Sequence, residues 1–254
     1  MTVRGRSKRI SPVHDVYPTP RWAVDRFLDE WPVITQNREM HWLEAGAGDG
    51  AIVHAVNEWR RRRKLVPILW TVCEIRELCA PTLHHLSDDV RILDFANAPL
   101  DSLTIGEDYD AAIFNPPFTL TMQFLRRCLA MCEHVAMLQR QNFIGSAERN
   151  DELRANMPDQ WMIPDRVDFA GDGSGDAIGH SWWTWDTTVT KKVGELHLLK
   201  TTPLDIRKSH RPRRSLKRAV PTKEVKKRRR KKKPVSPPPV PVKMYKKRRR
   251  KKKK

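Results

Sequence analysis

Trp42-Leu43-Glu44-Ala45-Gly46-Ala47-Gly48-Asp49-Gly50 is an apolar run that breaks into three glycines at alternate positions, and Ala51 to Arg63 then reads as a helix. A buried strand that turns this sharply into a helix opens an α/β crossover, because glycine reaches turn conformations closed to other residues and lets the backbone approach a neighbour closely. Strand-like runs near 41–45, 68–74, 91–94, 110–114 and 135–142 follow one another with helices after most of them. That alternation predicts an α/β fold, a doubly wound and largely parallel sheet covered on both sides. The end of the pattern differs, for Ser181 to Val189 and Gly194 to Leu199 are strand-like and nearly adjacent. They bring the count to seven and suggest an antiparallel pair closing the sheet, with Trp183 and Trp185 sharing one face and packing against a helix.

The strand-like run Tyr109 to Phe114 ends in Asn115-Pro116-Pro117-Phe118. Each proline fixes its own φ and disfavours helix for the residue before it, so Asn115 is expected to be extended, with its amide at the C-terminal edge of the sheet. Open α/β sheets bind ligands at that edge. An amide oxygen and a nearby backbone carbonyl there accept both hydrogens of a planar amine, while Phe118 stacks on the attached ring. The spacing of Gly46, Gly48 and Ala51 also satisfies the dinucleotide fingerprint, so glycines alone do not choose the cofactor. Two features favour a ligand carrying an ammonium and a sulfonium: Glu44, two positions before Gly46, where it would repel a pyrophosphate, and Asn115-Pro116-Pro117-Phe118, which hydride transfer does not need.

Taken together these residues resemble the class I S-adenosylmethionine-dependent methyltransferases that modify amino groups, and within them the phage-type DNA adenine methyltransferases. The resemblance runs from about Asp15 to Leu199. It rests on Asp15-Val16-Tyr17-Pro18-Thr19-Pro20, the Glu44 to Gly50 loop, Glu74 and Asp94-Phe95 at strand ends, Asn115 to Phe118, the run Leu138 to Ser146, and Gly171 to Asp186 with its tryptophans. It implies a Rossmann-like seven-stranded sheet and S-adenosyl-L-methionine as cofactor. Thr19 and Pro20 would hold the methionine part, Glu44 with Gly46, Gly48 and Gly50 its amino end, Glu74 the ribose hydroxyls, and Asp94 with Phe95 the adenine. Asn115, Pro116, Pro117 and Phe118 would form the catalytic corner. Phe118 stands where many relatives have tyrosine, which keeps the stacking and removes a hydroxyl. Transfer of methyl to the adenine amine in DNA is the expected reaction. RNA guanine, a protein glutamine, or a non-catalytic nucleic-acid-binding role on a degenerate fold are the alternatives. From the residues alone, Asp94 equally suits the cap of the following turn.

Charge divides the chain unevenly. Of the net +19, residues 201–254 carry +24, leaving −5 for residues 1–200. The expected organisation is therefore a flexible basic arm over 1–14, one domain over 15–200 and a disordered basic tail over 201–254. In the tail, Lys226 to Lys233 recurs as Lys246 to Lys253 across a proline-rich spacer, a pattern suited to phosphate backbones and similar to nuclear import signals. Nucleic acid, most plausibly DNA, is the expected partner. No run is long and apolar enough to span a membrane and no secretory signal is seen, which points to an intracellular site, host cytoplasm or nucleus. Cys73, Cys79, Cys128 and Cys132 lack zinc-type spacing, so no metal is assigned, and Cys128 and Cys132 read as buried groups on one amphipathic helix. The glycine-rich segment 171–176 suggests a loop beside the substrate pocket. Arg60 to Lys64 reads as cations complementing a helix C-terminus.

Overall fold

A computed structural model describes residues 18–106, 108–169, 175–190 and 193–209. The basic arm, positions 171–174 of the glycine-rich segment and the tail from 210 onward lie outside the described residues. Eight strands form one sheet: β1 (His41–Ala45), β2 (Leu69–Glu74), β3 (Asp89–Ile92), β4 (Tyr109–Phe114), β5 (Cys132–Arg140), β6 (Asp159–Met162), β7 (His180–Asp186) and β8 (Leu196–Leu198). The helices are α1 (Arg21–Leu28), α2 (Ala51–Arg62), α3 (Ala80–Leu83), α4 (Thr121–Leu129), α5 (Asn150–Ala155) and α6 (Leu204–Ser209).

The strands lie in the order β3-β2-β1-β4-β5-β7-β6-β8. β1 to β5 are mutually parallel, and β7 alone runs against its neighbours β5 and β6, while β8 is parallel to β6. The α/β class, the doubly wound order and the mostly parallel sheet agree with expectation. The C-terminal end differs: β7 and β8 are not partners, because β6, which was not foreseen, lies between them. Asp159-Gln160-Trp161-Met162 is short and half polar, so it carries no alternation to read. Its polar atoms are satisfied across the pair, Gln160 Nε2 donating to Ser181 Oγ at 3.0 Å and Trp161 Nε1 to Thr184 Oγ1 at 2.9 Å.

Side chains alternate across each strand, so neighbouring tryptophans part company. Trp182 joins Trp22, Phe27, Trp31, Trp42 and Trp70 in the core under α1 and α2, stacked on Phe27 with centroids 4.7 Å apart. Trp183 and Trp185 go to the opposite face with Phe114, Phe124, Leu125 and Leu153, against α4 and α5. Trp185 Nε1 donates to the Asn156 carbonyl at the end of α5, 3.0 Å away. The paired-face reading of these two residues therefore holds. Cys128 and Cys132 are both buried, but only Cys128 is helical, since Cys132 begins β5. Arg60 to Lys64 was expected to complement a helix C-terminus, and Arg60, Arg61 and Arg62 do fall in the last turn of α2, but the run also makes contacts that reading did not include. Arg60 is buried and donates to the carbonyls of Ile34, Gln36 and Val66, while Arg62 and Arg63 reach Asp25 and Asp29 on α1.

The fold also passes the boundary drawn at residue 200. Thr202 is buried, its N–H donates to Asp165 Oδ2 at 2.6 Å, and its hydroxyl accepts from Arg26 Nε at 3.1 Å. α6 follows, with Arg207 3.5 Å from Asp165 and Ile206 against the core. Threonine, proline and lysine at 200–203 gave no periodic signal, so the basic composition beyond masked a short docked segment. A chain ending at Ser209 should keep the full-length thermal midpoint. One ending at Lys200 should melt about 4–8 °C lower, for a loss of about 2 kcal/mol in buried polar contacts. Calorimetry of the two truncations checks this, and equal midpoints would show the segment to be passive.

Candidate active site

The strand order reverses between β1 and β4, and the two chain directions leave a crevice at their C-terminal ends. The turn after β1 forms one wall. Gly46, Gly48 and Gly50 have φ of +74°, +64° and +79°. Gly46 and Ala47 both donate their N–H to the Cys73 carbonyl at 2.9 Å, Gly50 N–H reaches the Ala47 carbonyl at 2.9 Å, and Gly48 N–H reaches Glu74 Oε2 at 2.7 Å. A side chain at Gly46 would press on Phe124 at 3.2 Å and one at Gly50 on Leu86 at 2.5 Å, so those two glycines serve packing. At Gly48 only Arg76 Nη2 lies near, at 3.5 Å.

This pattern bears on the cofactor. A pyrophosphate site needs backbone N–H groups pointing at the ligand, whereas here four amides of the turn are already committed to the protein. The adjoining cavity, of about 310 Å³, is lined by the carboxylates Glu44, Asp49, Glu74 and Asp94 with Arg76 as a single cation. Such a lining suits a ligand with positive charge and disfavours a diphosphate.

Of the residues expected at the site, Thr19, Glu44, Gly46, Gly48, Glu74, Asp94, Phe95, Asn115, Pro116 and Pro117 line this one cavity. Pro20, Gly50 and Phe118 do not. Pro20 precedes α1 and its carbonyl accepts from Ala23 N–H at 2.9 Å. Gly50 starts α2 against Leu83 and Leu86. Phe118 lies past the corner, beside β5, with the Arg140 guanidinium 4.2 Å above its ring. Pro18, Ala47, Asp49, Ile75, Arg76, Asn97 and Phe124 line the cavity without having been foreseen. Most are neighbours of residues that were, and Phe124 is brought in by α4, for which no local motif exists.

Glu44 is buried, with Oε2 accepting the Val53 N–H at 3.2 Å. Burial pushes its carboxyl well above the usual range against the pull of that N–H, and Asp49 and Glu74 push in the same direction as burial. Glu74 accepts three bonds: from Gly48 N–H, from Arg76 N–H at 3.0 Å and from Arg76 Nε at 2.7 Å. A ribose diol at Glu74 therefore takes the remaining lone pair or displaces Arg76. Asp94 does cap the next turn, Oδ1 accepting from Ala96 N–H at 3.0 Å and Oδ2 from Asn97 Nδ2 at 2.8 Å. It nonetheless faces the cavity, so the two readings of this residue coexist. Phe95 is tilted on Phe124, with centroids 4.9 Å apart.

At the far lip, Asn115 Nδ2 donates to Thr19 Oγ1 at 3.1 Å, which sets the amide with its nitrogen toward Thr19 and its oxygen at the opposite end. The corner is braced from below. Thr121 Oγ1 donates to the Phe118 carbonyl at 3.0 Å and accepts from Gln139 Nε2 at 2.7 Å, with both side chains buried. Neither Thr121 nor Gln139 was legible as a site residue, because their part is to hold backbone and they meet only in three dimensions.

No family model matches this sequence, and no curated protein does. Solved structures do share its fold. A Listeria monocytogenes protein described as a class I S-adenosylmethionine-dependent methyltransferase aligns with a TM-score of 0.56 at 12% identity, over 78% of this chain and 70% of that one. A type I restriction-modification methyltransferase subunit from Streptococcus thermophilus gives 0.55 at 13% identity, over 78% of this chain and 53% of that one, so this chain spans about half its length. A protein of Pyrococcus horikoshii described as an RNA methyltransferase gives 0.52 at 13% identity, over 70% and 88%. The fold is that of the class I methyltransferases.

Glu44 yields a prediction with a definite sign. Its folded-state pKa is raised, so the stability linked to its proton is fully present below the ordinary carboxylate pKa and is lost as pH rises through the folded value. Measured without cofactor, Glu44→Gln should match the parent's thermal midpoint near pH 4 and exceed it at pH 8. A parent that stays the more stable of the two at pH 8 would contradict the burial argument.

Proposed function

We propose that this protein is an S-adenosylmethionine-dependent methyltransferase that modifies the exocyclic amino group of adenine in DNA. The observation that carries the reading is the placement of Asn115: a strand-end amide, oriented by Thr19 and stiffened by two prolines, at the lip of a cavity lined by carboxylates. The class of its structural neighbours supports the same chemistry, and the restriction-modification subunit among them supports DNA.

In this reading Glu44 and the turn around Gly48 receive the amino end of the cofactor, Glu74 its ribose, and Asp94 with Phe95 its adenine. Bound there, S-adenosylmethionine supplies an electrophilic methyl group whose transfer leaves a neutral thioether. Asn115 Oδ1 and a carbonyl of the Pro116-Pro117 segment accept the two amine hydrogens, which draws the amine lone pair out of conjugation with the ring and aims it into the cavity. The prolines keep those acceptors fixed, so little ordering is left for the moment of reaction. No prior deprotonation of the amine is needed, and its surplus proton departs along either hydrogen bond. A base within a duplex cannot reach this corner, so the target is extruded or single-stranded, with Phe118 stacked against it.

The basic tail supplies the sequence-independent part of the affinity. Residues 210–254 hold 24 Lys and Arg against Glu224, whereas residues 1–200 are net −5. A slightly acidic domain draws little on long-range attraction to phosphates, so counterion release falls to the tail.

Labelled S-adenosylmethionine offered with duplex DNA, single-stranded DNA, RNA and protein, followed by mass spectrometry of the product, tests the substrate. N6-methyladenine in DNA is the expected product, and label in RNA or protein alone would redirect the reading to that substrate. Asn115→Ala should lower transfer at least 100-fold while leaving cofactor affinity within about 0.5 kcal/mol of the parent, since the amide orients the amine and does not hold the cofactor. Calorimetry and a transfer assay on one preparation separate the two effects. Truncation at Ser209 should leave transfer to a short duplex intact at low salt and flatten the salt dependence of binding. Equal slopes for full-length and truncated protein would remove the tail from nucleic-acid binding.

A further inference from the structure

Phe118, proposed above to stack on the target base, has one face covered by Arg140, whose guanidinium carbon is 4.2 Å from the ring centroid. Arg140 ends β5, the strand beside β4, so it stands across the Asn115 corner from the cofactor cavity, to which β5 contributes no residue. Arg76, Arg91 and Arg126 each meet a carboxylate at 2.6–2.8 Å. Arg127, Arg140 and Arg207 each bury an Nε that has no hydrogen-bond partner among the described residues, but Arg127 also reaches the carbonyls of Ala96 and Ala98, and Arg207 stands 3.5 Å from Asp165.

Among the described residues Arg140 forms no ion pair with a carboxylate. His180 faces Arg140 across the β5–β7 ladder and is buried, and neither of its ring nitrogens has a hydrogen-bond partner among the described residues. Asp176 Oδ2 stands 3.7 Å from His180 Nε2. Burial first of all holds the His180 imidazole down to about 4, so it is neutral at physiological pH. A half-buried guanidinium resting on an aromatic face gains cation–π attraction, but an unpaired N–H is costly and is relieved by an oxyanion that takes the planar fork.

We infer that Arg140 is a substrate-binding residue: it covers Phe118 until an extruded base takes that face, and then pairs with a phosphate flanking the target nucleotide. This rests on the methyltransferase reading above and narrows it, because the arginine then selects a phosphodiester-linked nucleotide over a protein amide or a free nucleoside. The geometry is economical, since one short swing both uncovers the stacking surface and brings a bidentate donor to the backbone of the same nucleotide.

The test uses full-length protein and a duplex that the parent methylates, with each phosphate next to the modified adenine replaced in turn by a neutral methylphosphonate. For the parent, one replacement should raise KM about tenfold, the scale of a charge-assisted hydrogen bond. Arg140→Ala should raise KM by a similar factor on the ordinary duplex and show no further rise with the methylphosphonate, with cofactor affinity unchanged. Arg140→Lys should retain part of the sensitivity. If Arg140→Ala responds to the methylphosphonate as the parent does, the assignment is overturned. A parent insensitive at both phosphates overturns it without any variant. A parent that methylates protein and no nucleic acid instead overturns the methyltransferase substrate reading itself, which the parent alone reveals.

Discussion

The tie between the glycine turn and the end of β2 is the constraint on which the rest of the site depends. One carbonyl, Cys73, accepts two successive N–H groups, and one carboxylate, Glu74, accepts the third. These bonds fix the turn at positive φ, start α2 against β1 and set the width of the cavity. They also give the acidic residue at the end of β2 a part in the fold whatever the ligand: without it the Gly48 N–H would lose its charged acceptor, a loss of about 1 kcal/mol. The carboxylate proposed to receive a ribose diol is thus a structural member of the turn, and its two roles would share one set of lone pairs.

Electrostatics gives the cavity its preference. Taken singly, Glu44 is an awkward group, a buried carboxyl whose ionisation is opposed by burial and by two neighbouring carboxylates. That penalty belongs to the protein by itself. A cation placed beside Glu44 would favour its ionised form, so this lining favours a positively charged ligand over a neutral one of equal shape. The committed amides of the turn act in the same direction by denying a diphosphate its donors. Fold alone does not make this distinction, since doubly wound sheets serve both kinds of cofactor.

How far the sequence revealed this depended on whether a feature was local. The strand–turn–helix around Gly46 to Gly50 and the corner at Asn115 are written in consecutive residues with strong backbone preferences, and both lie where the pattern placed them. β6 was missed because Asp159 to Met162 is held by cross-strand bonds to Ser181 and Thr184, which no window of sequence contains. Pro20 and Gly50 carry the right residue types for the site but are used by α1 and α2. Phe118 was expected at the cavity and lies beyond it, because Thr121 and Gln139 hold its backbone toward β5. The docked segment at 201–209 was hidden by composition, its few buried atoms sitting at the start of a strongly basic stretch.

The proposed function divides into three tasks that rest on different physics. In that reading cofactor preference would rest on buried carboxylates that act over a few ångströms. Orientation of the amine would rest on an amide stiffened by prolines, where precision outweighs strength. Attraction to a polyanion, in the proposed function, rests on the tail, whose charge acts over a Debye length. An acidic domain would repel the polymer if it had to capture it unaided, and a basic domain would weaken the hold on a sulfonium. In the proposed function, keeping most of the positive charge outside residues 1–200 resolves that conflict.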